Sequence, residues 1–201
     1  MKKMNRREFL ALTGAAVVAL SLAGCDDGPY APPAPPAPPA PPTPTTSKET
    51  ELLTAINKVW KEKHDAGEVA HEQLTLNQDA VGAIRGCGRV FETANETPHK
   101  LKDGDFGIIS GEQGELEKKL KKYGDDSDDI LAGMAGISEP SPDRVVALED
   151  AYSCENTAVR TFVTKLLSNS NSSNAEYISI YLPVVQGKTY MTAVVFRNNK
   201  A

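Results

Sequence analysis

From Thr46 onward, apolar residues recur with a helical period. Leu52, Ile56, Val59 and Trp60, joined by Leu53, predict a first helix that opens at Thr46 and ends near His64, before Gly67. Glu49, three residues after Thr46, completes a capping box. Leu74–Asn77 reads as a short extended entry, and Asn77 as the cap of a second helix. Its inward stripe is Ala80, Ile84, Cys87 and Phe91. Gly82, Gly86 and Gly88 weaken that helix by up to ~1 kcal/mol each, which points to close packing against a neighbour. The pattern breaks from Asn95 to Gly114, around Pro98, His99, Asp103-Gly104 and Gly107. A third helix follows, with Leu116, Leu120 and Tyr123 on one face. Ile130 to Ile137 is apolar and glycine-rich, without a clear period. Ser141-Pro142-Asp143 reads as a helix start, with Val145, Leu148 and Tyr152 inward and an end near Cys154.

The tail changes character. Thr157–Leu167, Glu176–Val185 and Lys188–Arg197 are rich in Val, Ile, Thr, Tyr and Phe and read as strands. Tyr177, Ser179 and Tyr181 alternate with Ile178, Ile180 and Leu182, the period of a half-buried strand. Gln186-Gly187 suits a tight hairpin turn. Helices first and strands last predict an α+β domain over 46–201, its helices packed on a C-terminal three-stranded antiparallel sheet.

Two segments precede it. Residues 1–24 begin with Lys2, Lys3, Arg6 and Arg7 and continue as an uncharged run from Phe9 to Gly24, the layout of a secretory leader. Residues 25–45 carry Cys25 and a linker in which Ala-Pro-Pro repeats four times from Ala31 to Pro42. Proline excludes helix and sheet there, so the expected form is polyproline II, a semi-rigid spacer roughly 50 Å long. Formal net charge is −5, and the basic leader leaves the remainder more acidic still. That excludes nucleic acid as a partner, because nucleic acid needs a basic footprint.

Beyond Cys25, the cysteines are Cys87 and Cys154. An even pair in an exported domain permits one disulfide, closing a loop of about 67 residues worth about 4 kcal/mol in the chain-entropy picture. The alternative is two thiols packed as small apolar groups. The Asp125–Asp129 run invites a calcium reading but lacks the glycine and the final glutamate of an EF-hand, so a solvated loop is expected. Cys154 and His99 form a candidate thiol–imidazole pair with Glu155 or Asn156 as orienter, although no oxyanion hole is visible. Tyr177, Tyr181 and Tyr190 are candidates for a binding face, against ordinary cross-strand packing.

Three resemblances extend this reading. Leu22-Ala23-Gly24-Cys25 resembles the lipobox of bacterial lipoproteins, which implies cleavage before Cys25 and diacylglycerol on its thiol. Arg6-Arg7-Glu8-Phe9-Leu10 resembles the twin-arginine export motif, with Arg6, Arg7, Phe9 and Leu10 at the matching positions. That route carries folded proteins, so a disulfide is not needed for folding. Leu52–Val59, Leu74–Asn77 with the helix after it, Pro98-His99, Ser141–Tyr152 and Tyr190–Phe196 together resemble the CAP (SCP/PR-1-like) domain. This resemblance implies an α-β-α sandwich and a cleft built from two histidines and two glutamates, often with a divalent metal. His99 carries over and Asp143 stands in for an acid, but no histidine lies near Ser153–Asn156. One histidine is too few for a divalent site, so no metal and no cofactor is assigned.

The resulting expectation is a lipid-anchored, extracytoplasmic CAP-like binding module without catalysis, held to the cell membrane through Cys25. The ligand classes the resemblance implies are a cell-wall component, a lipid or a peptide. The alternative is an extracytoplasmic hydrolase, metal-dependent or cysteine-based, using the same cleft.

Overall fold

A computed structural model describes residues 47–200. The expected export-motif residues Arg6, Arg7, Phe9 and Leu10, the expected lipidation site Cys25, the proline-rich stretch and the expected cap Thr46 lie outside the described residues.

Helix α1 spans Ser47–Asp65. Its stripe of Leu52, Ile56, Val59 and Trp60 is buried, and each such side chain contributes roughly 1.5–3 kcal/mol on leaving water. The Trp60 indole N–H donates to the His71 carbonyl at 3.1 Å. Asn57 binds Leu74 in both directions, its amide donating to the Leu74 carbonyl at 2.9 Å and its oxygen accepting the Leu74 N–H at 2.8 Å. That clasp delivers the chain into β1, Thr75–Leu76. Asn77 then caps as its sequence promises, accepting from the Asp79 N–H, and opens a 3₁₀ turn, Gln78–Ala80. Helix α2 follows over Gly82–Ala94 and stops at Asn95, which takes the left-handed conformation at φ 51°. Gly82 and Gly86 face the next helix: a Cβ at Gly86 would stand 3.1 Å from the Ile109 Cα.

The stretch from Asn95 to Gly114 is more regular than its composition suggests. Strand β2 is His99–Lys100, and helix α3 runs over Asp103–Leu120, starting well before Gly114. Asp105 accepts the Lys102 N–H at 2.7 Å and closes the helix start. The later part of α3, with Leu116 and Leu120 buried, is the expected third helix; the glycines hid its first part, since propensity alone argues against helix there. A short helix α4, Ser127–Ile130, capped by Asp126, leads into β3, Leu131–Ala135.

Ser141–Tyr152 is not a helix. The Ser141 hydroxyl accepts the Val145 N–H at 3.1 Å, and Arg144 sits at φ 60°. The cap-like chemistry closes a turn, and β4, Val145–Val146, pairs antiparallel with β2. Val146 and Leu148 are buried at a spacing of two. The helix lies later: α5 spans Asn156–Leu166, within the stretch whose Thr and Val content suggested a strand. Val159, Phe162, Val163 and Leu166 follow a helical period, and all are buried at 1% exposure or less. Thr161 and Thr164 donate to carbonyls four residues back. A fully buried apolar face outweighs the few tenths of a kcal/mol that β-branched residues cost a helix.

A second 3₁₀ turn, Ser170–Asn174, leads to β5, Tyr177–Tyr181. Strands β6, Val184–Val185, and β7, Lys188–Thr189, form a small hairpin turning through Gln186 (φ 51°) and Gly187 (φ 75°), as the Gln-Gly pair suggests. Strand β8, Thr192–Phe196, closes the chain. The main sheet has four strands rather than three, in the order β1-β5-β8-β3, with β1 parallel to β5 and the other pairings antiparallel. Leu131–Ala135 supplies the edge expected from 157–167.

The described residues therefore form a mixed α+β fold with helices packed against an open sheet. Ile178, Ile180, Ala193 and Val195 meet α1 and α5 on one face. Tyr177, Tyr181, Val194 and Phe196 meet α2 and α3 on the other. Strand β5 is thus covered on both sides, not half-buried. No described helix is long and apolar enough to cross a membrane.

Candidate functional site

The most unusual polar arrangement is centred on His99, at the start of β2 and almost closed to solvent, with its side chain 1% exposed. Two carboxylates grip the ring. Nδ1 lies 2.5 Å from Glu96 Oε1 and Nε2 lies 2.9 Å from Asp105 Oδ2. Glu96 comes from the loop after α2 and is half exposed; Asp105 comes from the first turn of α3. Burial acts to lower the imidazole pKa, but the two carboxylates outweigh it and raise it above its ordinary value. For Asp105, burial works upward, yet the Lys102 amide and His99 bring the net value below the usual carboxylate range. The arrangement ties the loop after α2, the start of β2 and the first turn of α3 together. Both ring nitrogens are engaged, so the ring has no free nitrogen with which to act as a base.

Asp143 does not join His99. It lies exposed in the turn before β4, while His99 takes Glu96 and Asp105. Those two partners, three residues before and six after the histidine, escaped the sequence reading. Their close spacing was the available signal.

Cys87 and Cys154 are both free, so the bridge their even count permits is not formed. Cys87 is on the buried face of α2, in a cluster with Val90, Phe91, Leu101 and Ile109, and burial pushes its thiol up to about 12. Cys154 is exposed and donates to the Tyr152 hydroxyl at 3.5 Å, which donates in turn to Glu51 at 3.0 Å. Its polar neighbour is thus a tyrosine and not His99. Alkylation of the folded protein should label Cys154 readily and Cys87 only after denaturation. Equal labelling of both, read peptide by peptide, would contradict this placement.

Glu112 is a second buried acid, gripped by Arg85 at 2.6 Å and Arg89 at 3.1 Å. Burial acts to raise its pKa, and the two guanidinium groups bring the net value below the carboxylate range. The cluster fastens α3 to α2. Tyr177 packs on Tyr123 and Phe196 with centroids 5.6 and 5.2 Å away, and the Tyr181 hydroxyl donates to Glu92 at 2.6 Å. These tyrosines pack under helices; Tyr190 is partly exposed beneath the Lys188 ammonium. In the acidic run, Asp126 caps α4 and Asp125 pairs with Lys200 at 3.1 Å. His64 sits beside Asp65, and His71 is exposed. Among the described residues no group of three or more His, Cys, Asp or Glu side chains is placed to hold a metal ion.

No family model, curated protein or solved structure matches the chain.

Proposed function

We propose that the chain is a lipid-anchored, extracytoplasmic binding module, a divergent relative of CAP domains that presents its folded part at the end of a stiff spacer. The observation that carries the reading is the order of its first segments. A basic start, an uncharged run, Leu22-Ala23-Gly24-Cys25 and the proline-rich linker all precede an acidic folded domain. Two or more acyl chains at Cys25 anchor a protein stably, because each buried CH₂ contributes about 0.8 kcal/mol. Export follows the twin-arginine route through Arg6 and Arg7. Support for the CAP relation comes from helices on both faces of the sheet, although the later large helix lies over α5 and not over Ser141–Tyr152. Binding rather than catalysis is supported by His99, whose engaged nitrogens and buried ring suit a brace. The ligand classes are a cell-wall component, a lipid or a peptide.

Mass spectrometry of the protein from isolated membranes tests the anchor. The expected species begins at Cys25 and carries acyl chains; Cys25→Ala should retain its leader or lose membrane retention. An intact, unacylated first segment on cytosolic protein would end the proposal. A metal-dependent hydrolase activity that vanishes in His99→Ala would replace binding with catalysis.

A further inference from the structure

We infer that His99 is a proton-held latch, fastening the connection between α2 and α3 while its ring is charged and releasing it when the ring becomes neutral. The inference rests on hydrogen-bond geometry. A neutral imidazole carries one N–H and one bare nitrogen, whereas an imidazolium carries two N–H donors. Here each ring nitrogen faces a carboxylate oxygen, Glu96 at 2.5 Å and Asp105 at 2.9 Å. Only the charged ring satisfies both. In the neutral ring one lone pair would point at an anionic oxygen, inside a site that water hardly reaches.

The surroundings decide which side lets go. Glu96 is half exposed and can swing into water. Asp105 is largely covered and also accepts the Lys102 N–H, so it stays with α3. From β4 the residue paired with His99 is the uncharged Val146. Arg144, in the turn before β4, is committed to Asp103 at 3.4 Å and to the face of Phe106. The charged groups in contact with the ring are thus the two acids.

The direction of the pH response follows. The histidine's folded-state pKa is raised, so its contribution is complete below the ordinary value of about 6.5 and is lost as pH rises through the raised value. Asp105 is depressed, so its share is present above the ordinary carboxylate range and is lost as pH falls through the lowered value. The latch is closed from mildly acidic to neutral pH and opens on the alkaline side. Opening frees the Asn95–Lys102 connection, whose Leu101 belongs to a buried cluster with Cys87, Ile109 and Val146.

Hydrogen exchange of the full chain between pH 5 and 9, corrected for intrinsic rates, tests this. Protection over 95–105 should fall by up to about tenfold per pH unit between the ordinary histidine value of about 6.5 and the midpoint of the folded ring, and level off above that midpoint, while protection of α5 stays constant. Glu96→Gln removes one anion and, on an exposed side chain, leaves the core intact; it should move the transition to lower pH. Asp105→Asn should do the same. NMR titration of the His99 ring provides the midpoint independently. Flat protection over 95–105, loss in step with α5, or a transition unmoved by Glu96→Gln would each overturn the latch. So would a ring that is neutral at pH 6.

Discussion

Gly136→Ala is expected to destabilise the protein by on the order of 3–5 kcal/mol, a large share of the 5–15 kcal/mol that holds a typical domain folded. The residue sits just past β3 at φ 95°, a conformation L side chains rarely adopt. A Cβ there would stand 1.9 Å from the Met191 carbonyl oxygen and 2.9 Å from the Thr192 Cα. Both are backbone atoms at the start of β8, a central strand, and neither can swing aside as a long side chain would. The Gly136 carbonyl also accepts the Glu149 N–H at 3.0 Å, and Met191 donates to the Asp150 carbonyl at 2.7 Å. Overpacking of 1–3 kcal/mol and backbone strain of similar size, in rough terms, therefore act together. Urea unfolding measures the loss. Gly187→Ala is the matched control: its φ is 75° but nothing lies within 4 Å, so strain acts alone and about 1 kcal/mol is expected. Equal losses in the two variants would show that strain, not the approach of β8, governs Gly136.

The opposite effect is expected on α3. Gly107, Gly111 and Gly114 lie along one side of this helix, and a Cβ on any of them meets nothing within 4 Å. Each glycine costs an exposed helix roughly 0.5–1 kcal/mol relative to alanine. Replacing all three with alanine should stabilise the protein by about 1.5–3 kcal/mol, because the substitutions touch nothing and act on the freedom of the unfolded chain. At 2–4 °C per kcal/mol for a chain of this size, thermal unfolding should shift upward by roughly 3–12 °C. Gly86→Ala on α2 separates propensity from packing. It has the same intrinsic gain, but its Cβ would press on the Ile109 Cα at 3.1 Å and the Glu112 Cβ at 3.3 Å. A loss at Gly86 beside a gain on α3 is the expected pair; no gain from the triple variant would contradict the open face.

These two helices show how far the pattern of residues reaches. Glycines at Gly82 and Gly86 promised a close neighbour, and α3 is that neighbour. Glycines on α3 itself mark no contact, so the same residue type pointed the wrong way and obscured the part of this helix before Gly114. Thr157–Leu167 carries the composition of a strand and the spacing of a helix, and the spacing prevailed because α1 and the sheet offered a surface for it to bury. Ser141-Pro142-Asp143 carries the chemistry of a helix start, yet the residues after it alternate and pair with β2 and with Ile137. At the candidate site His99 stood out as a lone histidine in an irregular stretch. Its acids did not, because pairing depends on how the turn into α3 brings Asp105 back over the ring.

The order of residues alone determined the first helix, the Asn77 cap, the Gln186-Gly187 turn and the α+β character, since each rests on neighbours a few positions apart. The proposed leader and linker rest on residues that are local in the same sense. Tertiary structure decided the strand order, the exchange of helix and strand between 141 and 167, the separation of Cys87 from Cys154, and the two acids that hold His99. Those outcomes depend on which surfaces become available for burial and which charges meet out of water. Both are properties of packing between distant segments, and no local window of the chain contains them.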